Sequence, residues 1–258
     1  MTDYLAELAA KAHARVHQGY YENRSPMSRT SRSLSEAIIE SPQTAIITEV
    51  KYASPSLGRI RENGSPIEIA RAMVKGGACA LSVLTASDGF NGKLENLRQV
   101  AEEFPVPVLM KDIIVSPRQL KAGSDLGADA VVLISELFTR GLAEIGLDAI
   151  IEESSKLGLE TLVETNSSGE FASLANHGVD LYGINNRDLS TFQVELSRTE
   201  EILSKTTRRD RPVVSESGIE SGADVRRLRR AGAKAFLVGT SVMRAASIEE
   251  KVRELVRA

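Results

Sequence analysis

The apolar positions of this chain fall into short runs, most of them ending in charged or polar residues. Such runs begin near Thr44, Cys79, Pro107, Ala130, Glu160, Leu181, Pro212 and Ala235. Near-continuous apolar runs of strand length mark parallel strands buried on both faces. Their starts lie about 20 to 35 residues apart, room for one crossover helix each. The segments between them carry helical periodicity. Pro66–Lys75 places Ile67, Ala70 and Val74 on one stripe, and Pro117–Leu126 follows Ser116 as N-cap, with proline at the first helical position. Asp224–Ala231 turns Val225 and Leu228 inward and leaves Arg226, Arg227, Arg229 and Arg230 as a solvated face.

Ahead of these units, residues Thr2 to Val16 read as a helix with Leu5, Leu8, Ala9 and Ala12 on one stripe. Tyr20 to Arg32 is polar and reads as a mobile connection, although Arg24, Arg29 and Arg32 among serines could also hold an anion. Ser33 to Ile39 predicts a short helix, with Ser33 as N-cap and Glu36 closing a capping box, before Pro42 breaks the chain.

A weak repeat ties the units together. Gly77-Ala78-Cys79-Ala80-Leu81, Gly127-Ala128-Asp129-Ala130-Val131, Gly178-Val179-Asp180-Leu181-Tyr182 and Gly232-Ala233-Lys234-Ala235-Phe236 share one plan. Each glycine is expected to end a helix in the left-handed conformation. The copies fall on the second, fourth, sixth and eighth predicted strands. Eight strands with alternating helices in about 250 residues predict an α/β fold, a closed (β/α)8 TIM barrel. An open doubly wound sheet is the alternative, but no G-x-G-x-x-G follows the first strand. We expect one barrel domain over residues 1–258, with residues 1–42 as an N-terminal helical extension.

Composition narrows the class. A chain of 258 residues with 42% hydrophobic and 26% charged residues resembles an ordinary globular protein. A formal net charge of −3 supplies no global argument for nucleic acid or a membrane surface. One cysteine, Cys79 in the run Cys79-Ala80-Leu81, excludes an internal disulfide framework and reads as buried filler. No signal-peptide pattern and no bilayer-length apolar run occur, so a cytoplasmic monomer is expected.

Candidate chemistry sits at the strand ends, which form the active-site face of such a barrel. The first strand offers Glu49 and Lys51, the second Thr85 with Phe90 in its loop, the third Lys111 and Asp112, and the fifth Glu164. The sixth offers Asn185 and Arg187, and the seventh Glu216 and Ser217. Burial alone would lower the pKa of Lys111, and a carboxylate beside it would raise it. Taken alone, Lys111 reads equally well as a rim lysine whose removal spares the fold. Three apolar strands ending in charge point instead to one shared polar mouth, equipped for acid–base work and for anion binding. The expected anion is phosphate. Glu216-Ser217-Gly218 and Gly239-Thr240-Ser241 place glycines where backbone amides can face a ligand and where a side chain would fill its space.

These motifs resemble the indole-3-glycerol-phosphate synthase family. The resemblance runs from about Ser33 to the C-terminus. It rests on Glu49-Val50-Lys51-Tyr52-Ala53-Ser54-Pro55-Ser56, Leu84-Thr85 with Phe90-Asn91-Gly92, Pro107 to Asp112, Leu162-Val163-Glu164, Gly183 to Leu189 and Ser215 to Ile219. It implies ring closure, decarboxylation and dehydration of 1-(2-carboxyphenylamino)-1-deoxyribulose 5-phosphate. It implies Lys111 as the acid at the substrate carbonyl and Glu164 as the base for dehydration. Lys51 would meet the substrate carboxylate and serve as second acid. Glu49 would orient the lysines, and Asn185 and Ser217 would orient hydroxyl groups or the amine. Ser54, Arg187, Gly218, Gly239 and Thr240 would surround the phosphate, Phe90 would contact the aryl ring, and Glu216 would belong to the substrate-binding set. No metal or organic cofactor is implied, and His13, His17 and His177 show no ligand spacing.

Three positions depart from the family pattern: Ile113 in place of phenylalanine, Ala86 in place of an acidic residue, and Lys93 in place of serine. They predict a less aromatic aryl pocket. A phosphoribosylanthranilate isomerase-like barrel would need a cysteine at the mouth, and Cys79 begins its strand at the opposite end. A Schiff-base aldolase using Lys111 or Lys51 and a non-catalytic phosphosugar-binding barrel are the other readings.

Overall fold

Side chains alternate across a strand, so every second residue of a barrel strand faces the interior. That rule organises the molecule. The structure, a computed structural model, describes residues 3–61, 64–189, 191–206 and 210–258. Its barrel strands are β1 (Ala45–Val50), β2 (Ala80–Leu84), β3 (Val108–Lys111), β4 (Ala130–Ile134), β5 (Glu160–Thr165), β6 (Leu181–Asn185), β7 (Val213–Glu216) and β8 (Ala235–Val238). Each pairs in parallel with its neighbours in sequence, and β8 closes on β1 through Ala45–Ala235 to Thr48–Val238. Each strand starts within one residue of its predicted position. Pro107 and Pro212 stand just outside because proline has no N–H to give the ladder, while their carbonyls still accept from Leu81 and Tyr182.

Inside the barrel, Ala45, Ile47, Ala80, Leu109, Val132, Leu162, Leu181, Val214 and Leu237 form an apolar cluster of their own. Leu34 and Ile38 of the short helix α2 (Leu34–Ile39) join it and plug the N-terminal end. Glu49, Lys111, Glu164 and Glu216 each stand two residues beyond a member of this cluster. The polar site is therefore the top interior layer of the same barrel.

Crossover helices cover the outside. Helix α3 (Pro66–Lys75) buries Ile69, Ala70 and Met73, whereas the predicted stripe members Ile67 and Val74 lie half-buried at its edges. Helices α4 (Leu94–Glu103), α5 (Pro117–Asp125), α6 (Ser135–Thr139) and α7 (Leu147–Lys156) follow, then α8 (Ser168–Ser173) and α9 (Ser197–Ser204). Helix α10 (Gly222–Ala231) buries Val225 and Leu228 and exposes its four arginines as expected. Helices α11 (Thr240–Arg244) and α12 (Ile248–Val256) complete the chain. Of the four repeated glycines, Gly77, Gly127 and Gly232 take positive φ, at 102°, 83° and 117°. Gly178 does not, because a 3-10 turn at Leu174–Asn176 precedes it and the chain leaves that turn through an extended His177.

The N-terminal extension corrects two expectations. The predicted helix is α1 (Tyr4–His17), and Thr2 lies outside the described residues. The segment after it is strapped to the barrel. Met27 N–H donates to the Asp125 carbonyl at 2.9 Å, and Asp129 accepts from the Arg29 guanidinium at 2.5 Å and from the Arg32 amide at 2.8 Å. Arg24 donates to the Tyr20 carbonyl, so Arg24 and Arg29 already bond protein oxygens. At α2, Ser33 caps as predicted, with its Oγ accepting from Glu36 N–H at 3.0 Å. The amides of Leu34 and Ser35 are taken by the Glu160 carboxylate, and the reciprocal bond from Ser33 N–H to the Glu36 side chain that would complete a capping box is not formed. An anionic group there also meets the positive end of the helix.

Candidate active site

The C-terminal ends of the strands open into a cavity of about 870 Å³. At its floor the Lys111 ammonium bonds the Glu164 carboxylate and lies 3.6 Å from Glu216 Oε2. Asn185 Nδ2 donates to the other Glu164 oxygen at 3.2 Å. Lys51 pairs with Glu49 at 2.7 Å on the neighbouring wall. The Lys111 side chain retains 19% of its exposure, whereas those of Glu164 and Glu216 keep only 3% and 2%.

This geometry sets the charges. Burial works against the Lys111 ammonium, but Glu164, Glu216 and Glu49 outweigh it, and its pKa rises above the ordinary lysine value. Lys111 is therefore a held cation, which makes it a poor imine-forming amine and disfavours the aldolase reading. Burial also works against ionised Glu164, yet Lys111 and the hydrogen bonds around it hold Glu164 below its ordinary value. For Glu216, burial and the adjacent Glu164 charge win, pushing the carboxyl well above the usual carboxylate range. Two carboxyls share one lysine. Glu216, expected in the substrate-binding set, stands beside Lys111 and Glu164.

Two of the glycines expected at the phosphate also meet a packing constraint. A Cβ on Gly239 would lie 2.6 Å from Glu49 Oε1 and 3.2 Å from Lys51 Cε, so this glycine keeps room for the Glu49–Lys51 pair. A Cβ on Gly218 would strike Val194 Cγ1 at 2.3 Å, so this position keeps room for the loop after β6. Ser217 and Gly218 both have positive φ, 68° and 78°. A non-glycine residue held there is a strained position of the kind found at ligand clamps. Ser54, Arg187, Ser217, Gly218, Gly239 and Thr240 all line the cavity. Arg187 Nη1 donates to Ser56 Oγ and to the Phe192 carbonyl, at 3.3 and 3.2 Å, linking the loops after β1 and β6.

Thr85 does not line the cavity, and Asp112 lines it with its carboxylate turned inward. Thr85 is fully buried with its hydroxyl on Asp112, and the Asp112 side chain has no exposure. Cys79 lies at the N-terminal end of β2 with its thiol on the Ile46 carbonyl, and burial pushes its pKa up to about 12. His13 bonds the Leu142 carbonyl and His177 pairs with Asp148, both away from the carboxylate cluster.

Other contributors were not singled out from sequence. Gly183 lies between the acids: a Cβ there would be 3.0 Å from Glu216 Oε1 and 3.1 Å from Glu164 Cα. Asn186, fully buried, donates to the Glu216 and Ser217 carbonyls and accepts from Thr199, stitching β6 to β7. The Asn185-Asn186 doublet at a strand end was the available signal. The extension also roofs the cavity, because Tyr4 and Leu8 of α1 line it and the Tyr4 ring meets Phe192 edge-on at 4.6 Å. The cavity's aromatic lining therefore includes Tyr4 and Phe192 besides Phe90, and Ile113 and Ala86 line it too. Lys93 instead occupies the N-cap of α4.

Fold and site together define a (β/α)8 barrel of enzyme type whose mouth gathers two lysines against buried carboxylates. Comparison with known proteins makes the assignment specific. The family pattern described as indole-3-glycerol phosphate synthase matches residues 2–255. Proteins carrying that description from Koribacter versatilis and Rhodopirellula baltica are 38% and 42% identical to this chain. The first match covers 99% of this chain and 96% of its relative, and the second covers 87% and 85%. A third, from Geobacillus thermodenitrificans, is 40% identical over 89% of this chain and 88% of its own. The chain belongs to the indole-3-glycerol phosphate synthase family, carboxy-lyases of tryptophan biosynthesis. Among solved structures, thiamine phosphate pyrophosphorylase from Pyrococcus furiosus superposes with a TM-score of 0.59 at 18% identity, covering 82% of this chain and 93% of that one, a likeness of fold alone. Among the described residues, no helix is long and apolar enough to cross a membrane.

Proposed function

We propose that the cavity closes the indole ring of 1-(2-carboxyphenylamino)-1-deoxyribulose 5-phosphate, with Lys111 as the first acid and Glu164 as the base. The observation that carries this reading is the Lys111 ammonium at the cavity floor, bonded to the buried Glu164 carboxylate and 3.6 Å from Glu216 Oε2, with Asn185 on the other Glu164 oxygen. The aromatic carbon bearing the carboxylate attacks the ketone carbon, and Lys111 delivers a proton to the carbonyl oxygen. Carbon dioxide leaves, and the electrons of its bond restore the aromatic ring. Glu164 then takes a proton from the adjacent methylene carbon while Lys51 protonates the departing hydroxyl. Two protons are delivered and one recovered, and solvent supplies the difference that loss of a carboxylate as carbon dioxide consumes. The Lys111–Glu164 contact gives the recovered proton a direct way back to the ammonium. Glu49 pairs with Lys51 and aims it, while Asn185 orients Glu164.

At the other end, Ser54, Arg187, Gly218, Gly239 and Thr240 surround the phosphate, the glycines through their backbone amides, and Ser217 beside them orients a hydroxyl group or the amine. Arg187 exchanges its hydrogen bonds to Ser56 and Phe192 for charge-assisted ones. The aryl ring lies among Phe90, Ile113 and Ala86 beneath the α1 roof. The test is to add the substrate and follow indole fluorescence. A rise is expected without added metal and in the presence of chelator. Folded protein that gives no rise overturns the proposal.

A further inference from the structure

The roof helix is keyed into the barrel beside Lys111 through one buried polar cluster that the proposed chemistry does not use. Arg15 of α1 keeps only 6% of its side-chain exposure. Its guanidinium donates to Asp112 Oδ1 at 3.0 Å, Asp88 Oδ2 at 2.6 Å and the Tyr21 hydroxyl at 3.1 Å. Asp112, the chain neighbour of Lys111, also accepts from Thr85 Oγ1 at 2.6 Å, from the Tyr21 hydroxyl at 2.9 Å and from Ile113 N–H at 2.8 Å. Thr85 N–H in turn donates to the Lys111 carbonyl at 3.0 Å. Three walls of the cavity meet at this point: α1 with Tyr4 and Leu8, the loop after β2 with Phe90, and the end of β3 with Lys111 and Ile113.

We propose that Arg15 is a positioning residue for the reaction: through Asp112 it fixes the backbone that aims Lys111, and through α1 it holds the roof over the aryl ring. The inference rests on the role proposed above for Lys111. Fully buried carboxylates need their partners, and truncating one side of such a pair leaves the other charge uncompensated. Burial already pushes the Asp112 carboxyl above its ordinary value despite Arg15. Without the guanidinium Asp112 takes up a proton, its acceptor pattern changes, and the turn carrying Lys111 and Ile113 relaxes. Misplacement of a reacting group by about 1 Å costs on the order of 100-fold in rate. At the other end of α1 the roof is held by the Tyr4–Phe192 ring contact. Tyr4 lies about 16 Å along the helix from Arg15, so losing the key frees one end of the roof.

Two readouts test this. In the first, kcat and KM of Arg15→Ala, Arg15→Lys and Tyr21→Phe are measured well below each variant's melting temperature, with and without added guanidinium. Arg15→Ala is expected to lose about 10- to 100-fold in kcat and to raise KM. Guanidinium should restore a measurable part of the loss, with Arg15→Lys intermediate. Tyr21→Phe, the gentler variant if Arg15→Ala does not fold, should lose a few-fold in the same direction. The second readout needs no turnover. The Lys111 side-chain resonance in carbon-13 lysine-labelled protein, assigned by its absence in Lys111→Met, should shift in Arg15→Ala and Tyr21→Phe, and return toward the parent position with guanidinium. A lowered melting temperature with kcat within two-fold of the parent and an unmoved Lys111 resonance would make Arg15 purely structural and overturn the proposal. If the parent turns over no substrate, the function assigned to the cavity falls, while the resonance still decides whether Arg15 positions Lys111.

Discussion

Lys111→Met is the sharpest perturbation of this site, because methionine keeps much of the side-chain stem and removes the charge. As a rim group Lys111 was expected to be dispensable for folding. The structure predicts otherwise, since Lys111 is the counter-charge of Glu164, whose side chain keeps 3% of its exposure. Breaking a buried pair from one side costs about 3–5 kcal/mol. At about 2–4 °C per kcal/mol for a domain of this size, the melting temperature should fall by about 6–20 °C at neutral pH. The dependence on pH has a definite sign. In the parent Glu164 is held below its ordinary value, so its stabilising contribution is present above that value and is lost as pH falls through the folded-state pKa. In Lys111→Met burial acts unopposed by the ammonium, the Glu164 pKa rises, and its contribution is lost as pH rises instead. The gap between the two melting curves should therefore be widest near neutrality and narrow toward acid. Lys111→Met combined with Glu164→Gln should recover much of the loss, because the uncompensated charge is gone. Melting series for the three proteins across pH provide the measurement, with turnover expected to drop by about 10² to 10⁴ in Lys111→Met. Parallel melting curves with no recovery in the double variant would refute the reasoning.

Other outcomes follow from the same geometry. Gly239→Val should separate Glu49 from Lys51 and cut kcat about 10-fold or more, with a smaller change in inorganic phosphate affinity by calorimetry; the reverse pattern would return Gly239 to a purely phosphate-binding role. Gly183→Ala should press on Glu216 and Glu164, costing about 1–3 kcal/mol in urea unfolding and lowering kcat while phosphate binding is retained. Glu216→Gln replaces a carboxyl that burial and Glu164 push toward its protonated form by an amide that carries no charge. The raised pKa of Glu216 means its contribution is full below the ordinary carboxylate value and fades as pH rises through its own pKa. The variant's melting temperature should therefore gain on the parent's as pH rises, and a constant offset would show that Glu216 does not carry that proton.

The chain's own pattern determined the barrel. Strand starts near Thr44, Cys79 and Pro107 could be read because a strand buried on both faces is written as a local apolar run, and the spacing leaves one helix between strands. The same logic placed Glu49, Lys111 and Glu164 at one mouth, since residues that follow apolar runs of a closed parallel barrel share one end. Sequence could not decide which of those groups touch. The two-residue alternation puts Glu216 in the interior layer with Glu164, and only the closing of the barrel brings both against Lys111, with the Glu216 carboxyl pushed above the usual carboxylate range by burial and the adjacent Glu164. Tertiary structure also added a packing constraint at Gly239, whose close neighbours Glu49 and Lys51 lie at the end of β1, a strand that β8 meets only through barrel closure. It likewise turned residues 20–32 from a mobile connection into a strap and α1 into a roof. Those contacts join residues about 70 to 190 positions apart, such as Arg15 with Asp112 and Tyr4 with Phe192. Periodicity records which face of an element is buried, but it carries no information about which distant side chain meets that face. Here that distant partner sets the charge of the carboxyls and the position of the acid.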